Sequence, residues 1–469
     1  MLLKNGRKTR GRERMDAINA FVDAVIETEF NSLSSDCVSM TKYLIGDTIA
    51  VALAGSAADG VAAAVRMIDQ SETGGPCSVV GHDRKVGAPA AAFLNSVMSH
   101  ALDFDDTHDR AHLHCGCTVI PAALAVAEIR RPIDGRLFLS AVSVGTDMTA
   151  RLGLACHRGP FDAGWVYTTI FGVMGATAAC GKVLGLSKDE LLNAFGIAYS
   201  QASGNGQCVR DGALSKRLQP AFAARDAVYA TMLAKEGLTG ARNVLEGDDG
   251  MMNQYVRGDY DRNILLGELG SRYEVSRLSF KPYPSCRINH VFIDAISRLK
   301  QRHRISTDDI ASIWIDYNST AVRCFQPEEI KQSPRTVVDA QFSVPYNVAV
   351  AVLYDDVGID DFTLPAIQRQ DVRDMAYKVH SREDVLLPTE EYMGRITVEL
   401  VDGTRYEEKT VLPLGNPANP MSDERFFRKF EQCARHGVKP LTTSSIKALW
   451  SMMKSLDDVD DCTEMFMLM

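Results

Sequence analysis

The sequence lacks several features that define common classes of protein. Its 469 residues carry a formal net charge of −9, so it lacks the positive charge of a general nucleic-acid or membrane-surface protein. Its longest weakly polar runs, such as residues 168–180, fall short of a membrane span. The first residues, MLLKNGRKTRGRER, lack the apolar centre of a secretory signal. We therefore expect neither a nucleic-acid partner nor a membrane partner.

The cysteines do not form a disulfide framework. The eleven of them are scattered and odd in number, which is typical of reduced thiols and predicts a cytoplasmic protein. Cys115 and Cys117 have one residue between them and no second pair to join, which argues against a zinc site. Residues 204–206, GNG, lack the third glycine and the preceding strand of a dinucleotide-binding fingerprint.

Residues 1–14 differ from the rest of the chain. They are basic and contain no acidic residue before Glu13. Three interpretations stay open: a disordered tail, a transit peptide, or sequence upstream of a start at Met15. We treat them as a basic tail that is separate from the folded chain.

What the sequence does contain is a long helical pattern followed by a mixed one. From residue 15 to residue 269, apolar residues recur at three- and four-residue spacing, as in MDAINAFVDAVIETEF, which predicts helices. Strand-like runs then appear in YEVSRLSF, ASIWIDYNS and RITVELVDGTRYEEKTV. The last of these contains Asp402-Gly403, a strong hairpin signal. Beyond residue 412 the pattern is helical again.

A chain of this length is too long for one ordinary core. We predict a mainly α fold, with an all-helical body of residues 15–269 plus 413–469 and an α+β lid domain of residues 270–412. The lid domain is inserted before the C-terminal helices. Since clefts between domains commonly bind small molecules, we expect the functional site between body and lid.

The stretch HALDFDDTHDRAHLH, residues 100–114, concentrates four of the ten histidines together with four aspartates. If it continues as a helix, five polar residues share one face: His100, Asp103, Thr107, Arg110 and His114. A metal site, a solvated loop and an acid–base site compete as interpretations. His108 and His112 are four apart, but no glutamate accompanies them as in zinc hydrolases. A histidine that titrates near neutrality favours the acid–base site.

Two basic segments lie farther along the chain. The run LSKRLQPAFAAR places Lys216 and Arg217 just before a helix, where backbone N–H groups add to the attraction for anions. The run FKPYPSCR places Lys281 in a proline-stiffened turn, with Arg287 six residues on. Together with Arg110, these cations would suit a substrate that carries several carboxylates.

Several separated motifs, in order along the chain, resemble the MmgE/PrpD family of 2-methylcitrate dehydratases, cis-aconitate decarboxylases and iminodisuccinate epimerases. They run from about residue 15 to the C-terminal tail, as SHALDFDDTH, GATAACGKVLGL, SKRLQPAFAAR, FKPYPSCRINH, DAQFSVPY and PLGNPANPMSDERFFRKF. The resemblance implies an all-helical body with an α+β lid, a homodimer, and a site that uses neither cofactor nor metal.

The resemblance also assigns site residues. Carried over position by position, the catalytic residues are Asp103, Thr107, His114, Lys216 and Lys281. To these we add four residues expected to bind the substrate, which are Arg110, Arg217, Arg287 and Tyr167.

The chain departs from the family at two positions. Val166 stands where many relatives have a histidine after Gly-Trp, and Gln219 stands where relatives often have another. Tyr167 and His157 are the candidates that could compensate. The departures weaken the standard dehydratase and decarboxylase assignments.

The family chemistry breaks a C–H or C–CO₂⁻ bond beside a carboxylate, so the site must hold carboxylates and stabilise developing charge. The carboxylates are expected to bind to Lys216, Lys281 and Arg287. His114 would move the proton, Asp103 would orient His114 or a neighbouring base, and Thr107 would hydrogen-bond the substrate. A lysine crowded by other cations is the alternative base, since its pKa would fall.

Several functions remain open at this point. Dehydration of a 2-methylcitrate-like hydroxy acid is the leading expectation, because it is the commonest role in the family. Epimerisation of an iminodisuccinate-like dicarboxylate is the runner-up, because it needs fewer catalytic groups. Decarboxylation of an aconitate-like acid comes third. A non-catalytic relative that binds polyanions is the alternative from a different class, and a metal hydrolase is a remote one.

Overall fold

The computed structural model describes residues 15–72, 74–388 and 393–469. Within these ranges the chain forms 22 α-helices and six strands. The mainly α fold expected from the sequence is therefore confirmed. The basic tail of residues 1–14 lies outside the described residues.

Helices dominate residues 18–266, although loops and one small strand pair separate them. Their apolar spacing explains this, since α1 (Ile18–Glu27) buries Ile18, Phe21, Val22 and Val25 on one face. The helices that follow are α2 (Ser35–Gly55), α3 (Val61–Ser71), α4 (Ala88–His100), α5 (Gly116–Arg130), α6 (Gly135–Ala155), α7 (Pro160–Ala163), α8 (Tyr167–Ile170), α9 (Gly172–Leu184), α10 (Lys188–Tyr199), α11 (Gln207–Arg210), α12 (Gln219–Lys235), α13 (Met251–Val256) and α14 (Arg262–Leu266). A small antiparallel pair, β1 (Cys77–Ser78) and β2 (Lys85–Val86), interrupts them.

Helix α2 is a long and mostly buried helix of this region. By length and composition it is long and apolar enough to cross a membrane, which corrects the expectation that no apolar run reaches that length. However, 72% of its apolar window is buried inside the protein. It packs against α4 and α6. Close helix packing elsewhere relies on glycine, because a Cβ on Gly175 of α9 would lie 2.3 Å from the carbonyl oxygen of Gly145 in α6.

The remaining chain forms a mixed region and then returns to helix. The elements of the mixed region are α15 (Arg287–His303), β3 (Ile310–Tyr317), α16 (Glu328–Gln332), α17 (Val337–Gln341), α18 (Val344–Tyr354), α19 (Leu364–Ile367), α20 (Gln370–Tyr377), β4 (Val379–Glu383), β5 (Gly394–Leu400) and β6 (Arg405–Lys409). The last two helices, α21 (Asp423–His436) and α22 (Thr443–Lys454), pack on α2.

The mixed region contains a four-stranded sheet in the order β4-β3-β5-β6. Strand β3 pairs parallel to β4 and antiparallel to β5. The hairpin predicted at Asp402-Gly403 is confirmed, since β5 and β6 pair antiparallel across it. Gly403 has a φ of +86° there, a conformation that favours glycine.

The strand predicted for YEVSRLSF is wrong. Residues 274–277 form a 3₁₀ turn, because Glu274 is tied to the helical region at both ends. Its backbone N–H donates to Asp147, 2.8 Å away, and its carboxylate lies 3.2 Å from Nε2 of His108. These bonds hold Glu274 against α6 and the loop after α4. Within the described residues the segment forms one isolated bridge, between Ser279 and Thr107, and no strand.

The buried apolar residues fall into two clusters. The first runs from Ala17 to Phe280 and takes in Phe426–Met465 of the C-terminal helices, with Ile359 as an outlier. The second lies within residues 283–398. Segments that belong to both clusters meet around residues 100–115, where the polar motif lies.

Candidate active site

The motif of residues 100–114 is not a helix, so the prediction of one polar helical face is wrong. Helix α4 ends at His100, and Asp103 and His112 have positive φ values of 52° and 53°. Aspartate and histidine tolerate this left-handed conformation better than most residues. Thr107 then forms an isolated antiparallel bridge with Ser279, through N···O distances of 2.9 and 2.7 Å. This bridge holds two segments far apart in sequence side by side.

The bridge brings Lys281 to Asp103. Nζ of Lys281 donates to the carbonyl oxygen of Asp103 at 2.8 Å and lies 3.3 Å from its Oδ1. The 3₁₀ turn before α12 supplies Lys216, whose Nζ donates to the same Oδ1 at 2.7 Å. All three residues are largely buried. We call Asp103, Lys216 and Lys281 the lysine wall.

The lysine wall fixes the ionisation of its members. Burial alone would raise the pKa of Asp103, but Lys216 and Lys281 hold it well below the ordinary range. Burial opposes the charge on Lys216 as well, yet Asp103 raises the pKa of that ammonium group above its usual value. The alternative from the sequence was a lysine base whose pKa is lowered by neighbouring cations. Lys216 does not fit that description, because its nearest charged neighbour is an anion.

A second group of charges lies opposite, built on Asp105. Its Oδ2 is 2.8 Å from Nδ1 of His100 and 3.3 Å from Nδ1 of His114. The two imidazole rings meet edge to face, with centroids 5.0 Å apart. We call His100, His114 and Asp105 the histidine wall. Asp103 was expected to orient His114 or a neighbouring base, but Nδ1 of His114 lies against Asp105 and the carbonyl oxygen of Asp106. The turn at Asp103 directs its own carboxylate to the lysines.

Within the histidine wall the surroundings favour an ionised Asp105 carboxylate, and burial disfavours a positive charge on His100. Burial opposes the charge on Asp105, but the two histidines hold its pKa well below the ordinary value. Burial lowers the pKa of His100 to about 4, against the opposing pull of Asp105. With Nδ1 facing a carboxylate, each ring has its Nε2 left to exchange a proton elsewhere.

His114 has two further contacts, one through its backbone and one through its ring. Its N–H donates to Oγ1 of Thr168 at 3.1 Å, and its Nδ1 also lies 2.6 Å from the carbonyl oxygen of Asp106. The Asp106 carboxylate accepts from the N–H groups of Cys115 and Gly116 at the start of α5. Burial raises the pKa of Asp106 to about 7, so this carboxyl titrates close to neutrality.

Both walls face one cavity of about 110 Å³, several times the volume that a single water molecule needs. Seven of the nine predicted site residues line it: Asp103, Thr107, His114, Lys216, Lys281, Arg287 and Tyr167. The cavity is enclosed by elements of both apolar clusters, since Phe342 and Ile288 come from the second.

Arg110 and Arg217 are absent from the cavity lining, which corrects the substrate role expected for them. Arg110 is exposed, because the irregular backbone after His100 turns it away from the shared helical face that was predicted. Arg217 is buried, but its Nη1 donates to the carbonyl oxygen of Asp59. Arg217 therefore ties the 3₁₀ turn before α12 to the loop before α3.

Two of the lining residues are already held by the protein. Nε of Arg287 lies 3.1 Å from Oδ1 of Asp109, and its Nη1 donates to the carbonyl oxygen of Leu414. The Tyr167 hydroxyl donates to the carbonyl oxygen of Arg158 at 2.7 Å. Both residues shape the cavity, and Arg287 adds positive charge to it.

The departures from the family pattern lie in the cavity. Val166 and Gln219 both line it, so two apolar or neutral side chains stand where the resemblance expects imidazoles. His157 does not compensate, because it is more than half exposed and pairs with Asp259.

Sequence reasoning did not select several other lining residues, among them His100, His112, Cys286 and Phe342. His100 and His112 belong to the motif of residues 100–114, so the density of histidines and aspartates there could have indicated them. Asp105 was missed as well, since three neighbouring aspartates cannot be told apart without the backbone turn at Asp103.

A metal ion has one candidate set of ligands within the described residues. His100, Asp105 and Cys117 offer ligand atoms within 4.8 Å of one another, all buried. Burial and Asp105 hold the pKa of the Cys117 thiol well above its usual value. A neutral thiol is a poor ligand, and His100 is already bonded to Asp105, so the donors present do not favour a metal.

Comparison with known proteins defines the class of this site. Residues 19–263 match the MmgE/PrpD N-terminal domain and residues 283–451 match the MmgE/PrpD C-terminal domain. The chain is 29% identical to a cis-aconitate decarboxylase of Aspergillus terreus, over 94% of this chain and 93% of the relative. It is 26% identical to a Homo sapiens cis-aconitate decarboxylase, over 95% and 92%. A 2-methylcitrate dehydratase of Escherichia coli is 23% identical, over 70% and 71%.

These relatives carry out decarboxylation and dehydration, which are both lyase reactions, and the chain is a lyase. It belongs to the MmgE/PrpD family, whose two domain models together span most of its length.

Proposed function

We propose that the chain decarboxylates a small, cis-aconitate-like polycarboxylic acid without a cofactor. The observation that carries this proposal is the pairing of two walls across one cavity, with buried lysines on one side and a carboxylate-bound histidine on the other. Lysine ammonium groups bind carboxylates, and a histidine can transfer one proton. Those two functions are what a decarboxylation requires.

In the proposed reaction the substrate carboxylates lie against Lys216, Lys281 and Arg287. The electron pair of the C–CO₂⁻ bond moves into the substrate as CO₂ leaves, and the lysines stabilise the enediolate-like charge that develops. Nε2 of His114 then donates a proton to the carbon skeleton. Asp105 holds the His114 ring in place for this step, and Thr107 hydrogen-bonds the substrate.

Dehydration, which the sequence analysis ranked first, is the second candidate. Two observations support placing decarboxylation ahead of it. The cis-aconitate decarboxylases are similar over 94–95% of this chain, whereas the 2-methylcitrate dehydratases are similar over 70%. A dehydration also needs an acid for the leaving hydroxyl, and Val166 supplies none. Epimerisation of a dicarboxylate, which needs no leaving-group acid, stands third.

Proton NMR of the purified protein in D₂O distinguishes these reactions. The panel holds cis-aconitate, 2-methylcitrate, citrate and iminodisuccinate. Decarboxylation is expected to remove one carboxyl carbon from cis-aconitate and leave deuterium in the product. A new olefinic signal from 2-methylcitrate would instead establish dehydration, and deuterium wash-in without net product from one enantiomer would establish epimerisation.

The variant His114→Ala separates catalysis from binding. We expect a loss of about 10²- to 10⁴-fold in kcat, with ligand-induced thermal stabilisation retained, because the lysine wall is untouched. The control is His157→Ala, whose exposed ring lies outside the cavity. A protein with no turnover on any acid, but with undiminished binding in both variants, would be a non-catalytic polyanion-binding relative.

We propose the same two domains that the sequence predicts. Residues 15–269 and 413–469 form a helical body, and residues 270–412 form a lid. Support comes from the two apolar clusters and from the packing of α21 and α22 on α2. A lid of this kind would exclude water from the cavity during the reaction. Limited proteolysis with and without cis-aconitate tests it, since a closing lid protects its connections.

We also propose a cytoplasmic homodimer. The eleven cysteines are all free, which supports a reducing compartment. Helix α12 exposes four large apolar side chains at helical spacing, Phe222, Tyr229, Met232 and Leu233, and such a stripe favours a protein contact. The substitution Tyr229→Glu is expected to shift the mass measured by light scattering from dimer to monomer.

A further inference from the structure

Cys286 stands apart from the other cysteines of the chain. Nine of the eleven free thiols are buried, and Cys156 and Cys286 are the two that are partly exposed. Among the residues that line the substrate cavity, Cys286 is the one cysteine. It lies between Lys281 and Arg287, directly before the first turn of α15. A small molecule in the cavity would therefore contact this thiol.

The surroundings of Cys286 favour its reactive, thiolate form. Its backbone N–H donates to the carbonyl oxygen of Gln341 at 2.9 Å, which fixes its position. A hydrogen bond from the buried Cys324 thiol lowers the pKa of Cys286, and Lys281 acts in the same direction against burial and Asp103. Thiolates at helix N-termini and beside cations are the nucleophilic ones.

The same cavity contains a buried acceptor atom that a hydrogen-bond donor on a ligand would satisfy. Oδ2 of Asp103 has no hydrogen-bond partner within the described residues, although Asp103 is only 2% exposed. Lys216 retains one-eighth of its side-chain surface exposed. A molecule that donates a hydrogen bond to this oxygen and places a carboxylate against Lys216 would occupy the same cavity that Cys286 lines.

We propose that Cys286 is a modification site that captures electrophiles carrying a carboxylate. The lysine wall binds the carboxylate and delivers the electrophilic carbon to the thiol. This inference deepens the proposed function and rests on it for the natural electrophile, an α,β-unsaturated acid of the kind that a cis-aconitate-like reaction consumes or forms. Occupation of the cavity by the adduct then blocks turnover.

The chemical step is a conjugate addition. A bond forms between Sγ of Cys286 and the β-carbon of the unsaturated acid, and the carbon–carbon π bond breaks. The proton that the thiol loses is returned to the α-carbon, so no oxidant or further reactant is needed. A haloacid reacts at the same site by displacement, in which the S–C bond forms, the C–I bond breaks and iodide leaves.

The test compares iodoacetate with iodoacetamide, which differ in one negative charge. The protein is treated with each at equal concentration, and labelling of Cys286 is followed by peptide mass spectrometry. The ratio of the two rates is divided by the same ratio for 2-mercaptoethanol, a thiol with no lysines nearby. We expect the corrected ratio to favour iodoacetate by about tenfold or more, as for an ion pair at a protein surface.

Two variants sharpen the result. Lys216→Met is expected to abolish the preference for iodoacetate while iodoacetamide still labels Cys286, which shows that the thiol remains accessible in a folded protein. Cys156→Ser is the matched control and should leave both rates unchanged, since Cys156 is absent from the cavity lining. A corrected ratio near one, or Cys286 unlabelled by both reagents, would overturn the proposal.

Protection separates this inference from the proposed function. If cis-aconitate slows iodoacetate labelling of Cys286, the acid and the reagent occupy the same cavity, and the proposed function and the Cys286 proposal are both supported. If iodoacetate is preferred but cis-aconitate gives no protection, the carboxylate-directed thiol is upheld and the proposed substrate is wrong. Prolonged incubation with the NMR-identified product should add its mass to Cys286, and no adduct under any condition would overturn the role of unsaturated acids.

Discussion

The lysine wall and the histidine wall are built on aspartates only two residues apart. They differ in the sequence separation of their members and in the charge of the partner side chains. Asp103 meets Lys216 and Lys281, which lie 113 and 178 residues away along the chain. Asp105 meets His100 and His114, which are close in sequence. One wall is therefore long-range and cationic, and the other is local and able to exchange protons.

This difference indicates a division of labour. A cluster assembled from distant segments depends on the fold and can hold a substrate rigidly. A local cluster with a neutral histidine can change its protonation at small structural cost. We therefore expect changes in the lysine wall to alter stability and substrate affinity, and changes in the histidine wall to alter kcat.

The largest expected effect is that of Asp103→Asn. Removing this charge leaves two lysines buried without their anion, and breaking a buried pair commonly costs about 3–5 kcal/mol. Urea unfolding at pH 7 should show a decrease of about 3 kcal/mol in the free energy of unfolding. The control Asp83→Asn breaks an exposed pair with Lys439 and should cost less than about 1 kcal/mol. Equal effects of the two substitutions would contradict the lysine wall.

The histidine wall is expected to respond to acid. His100 binds its proton at a pKa of about 4 in the folded protein, against about 6.5 in the unfolded chain. The unfolded state therefore binds the proton first, and stability falls as the pH drops from 6.5 to 4, by up to about 3 kcal/mol from this group.

The comparison that isolates His100 is the variant His100→Asn. Its unfolding free energy should depend less steeply on pH than that of the wild type between pH 6.5 and 4. His157→Asn, at an exposed position, should follow the wild-type curve. If wild type and His100→Asn show parallel curves, His100 is not held neutral by burial.

Asp105→Asn should separate the two walls kinetically. An asparagine cannot stabilise a positively charged His114 or hold both rings as a carboxylate does, so kcat should fall by roughly 10- to 100-fold with little change in KM. Lys216→Met should instead raise KM, because it removes a carboxylate ligand. The measurement is a pH profile of kcat and KM for both variants. If each variant changed kcat and KM to the same extent, the two walls would not have separate functions.

The sequence predicted the members of the lysine wall better than their arrangement. Motif resemblance selected Asp103, Lys216 and Lys281 together, although nothing in their spacing brings them into contact. The arrangement depends on the left-handed turn at Asp103 and on the bridge between Thr107 and Ser279, and neither has a local sequence signal.

The helical body and the hairpin were predictable for the opposite reason. Their signals are local: apolar spacing in the helices, and Asp402-Gly403 between alternating segments. Predictions from apolar periodicity failed where contacts between distant residues determine the backbone conformation. Glu274 is held by Asp147 and His108 in place of a strand partner, and residues 101–115 lose the helical phase that would have placed Arg110 beside the catalytic groups.

Arg110→Ala gives the smallest expected effect and tests the boundary of the lysine wall. Its side chain is exposed and absent from the cavity lining, so stability should change by no more than about 0.5 kcal/mol and KM should stay essentially constant. Arg287→Ala is the matched variant inside the cavity and should raise KM. If Arg110→Ala raises KM as much as Arg287→Ala does, the guanidinium reaches the bound substrate, and the residues after Asp103 must rearrange when the cavity is filled.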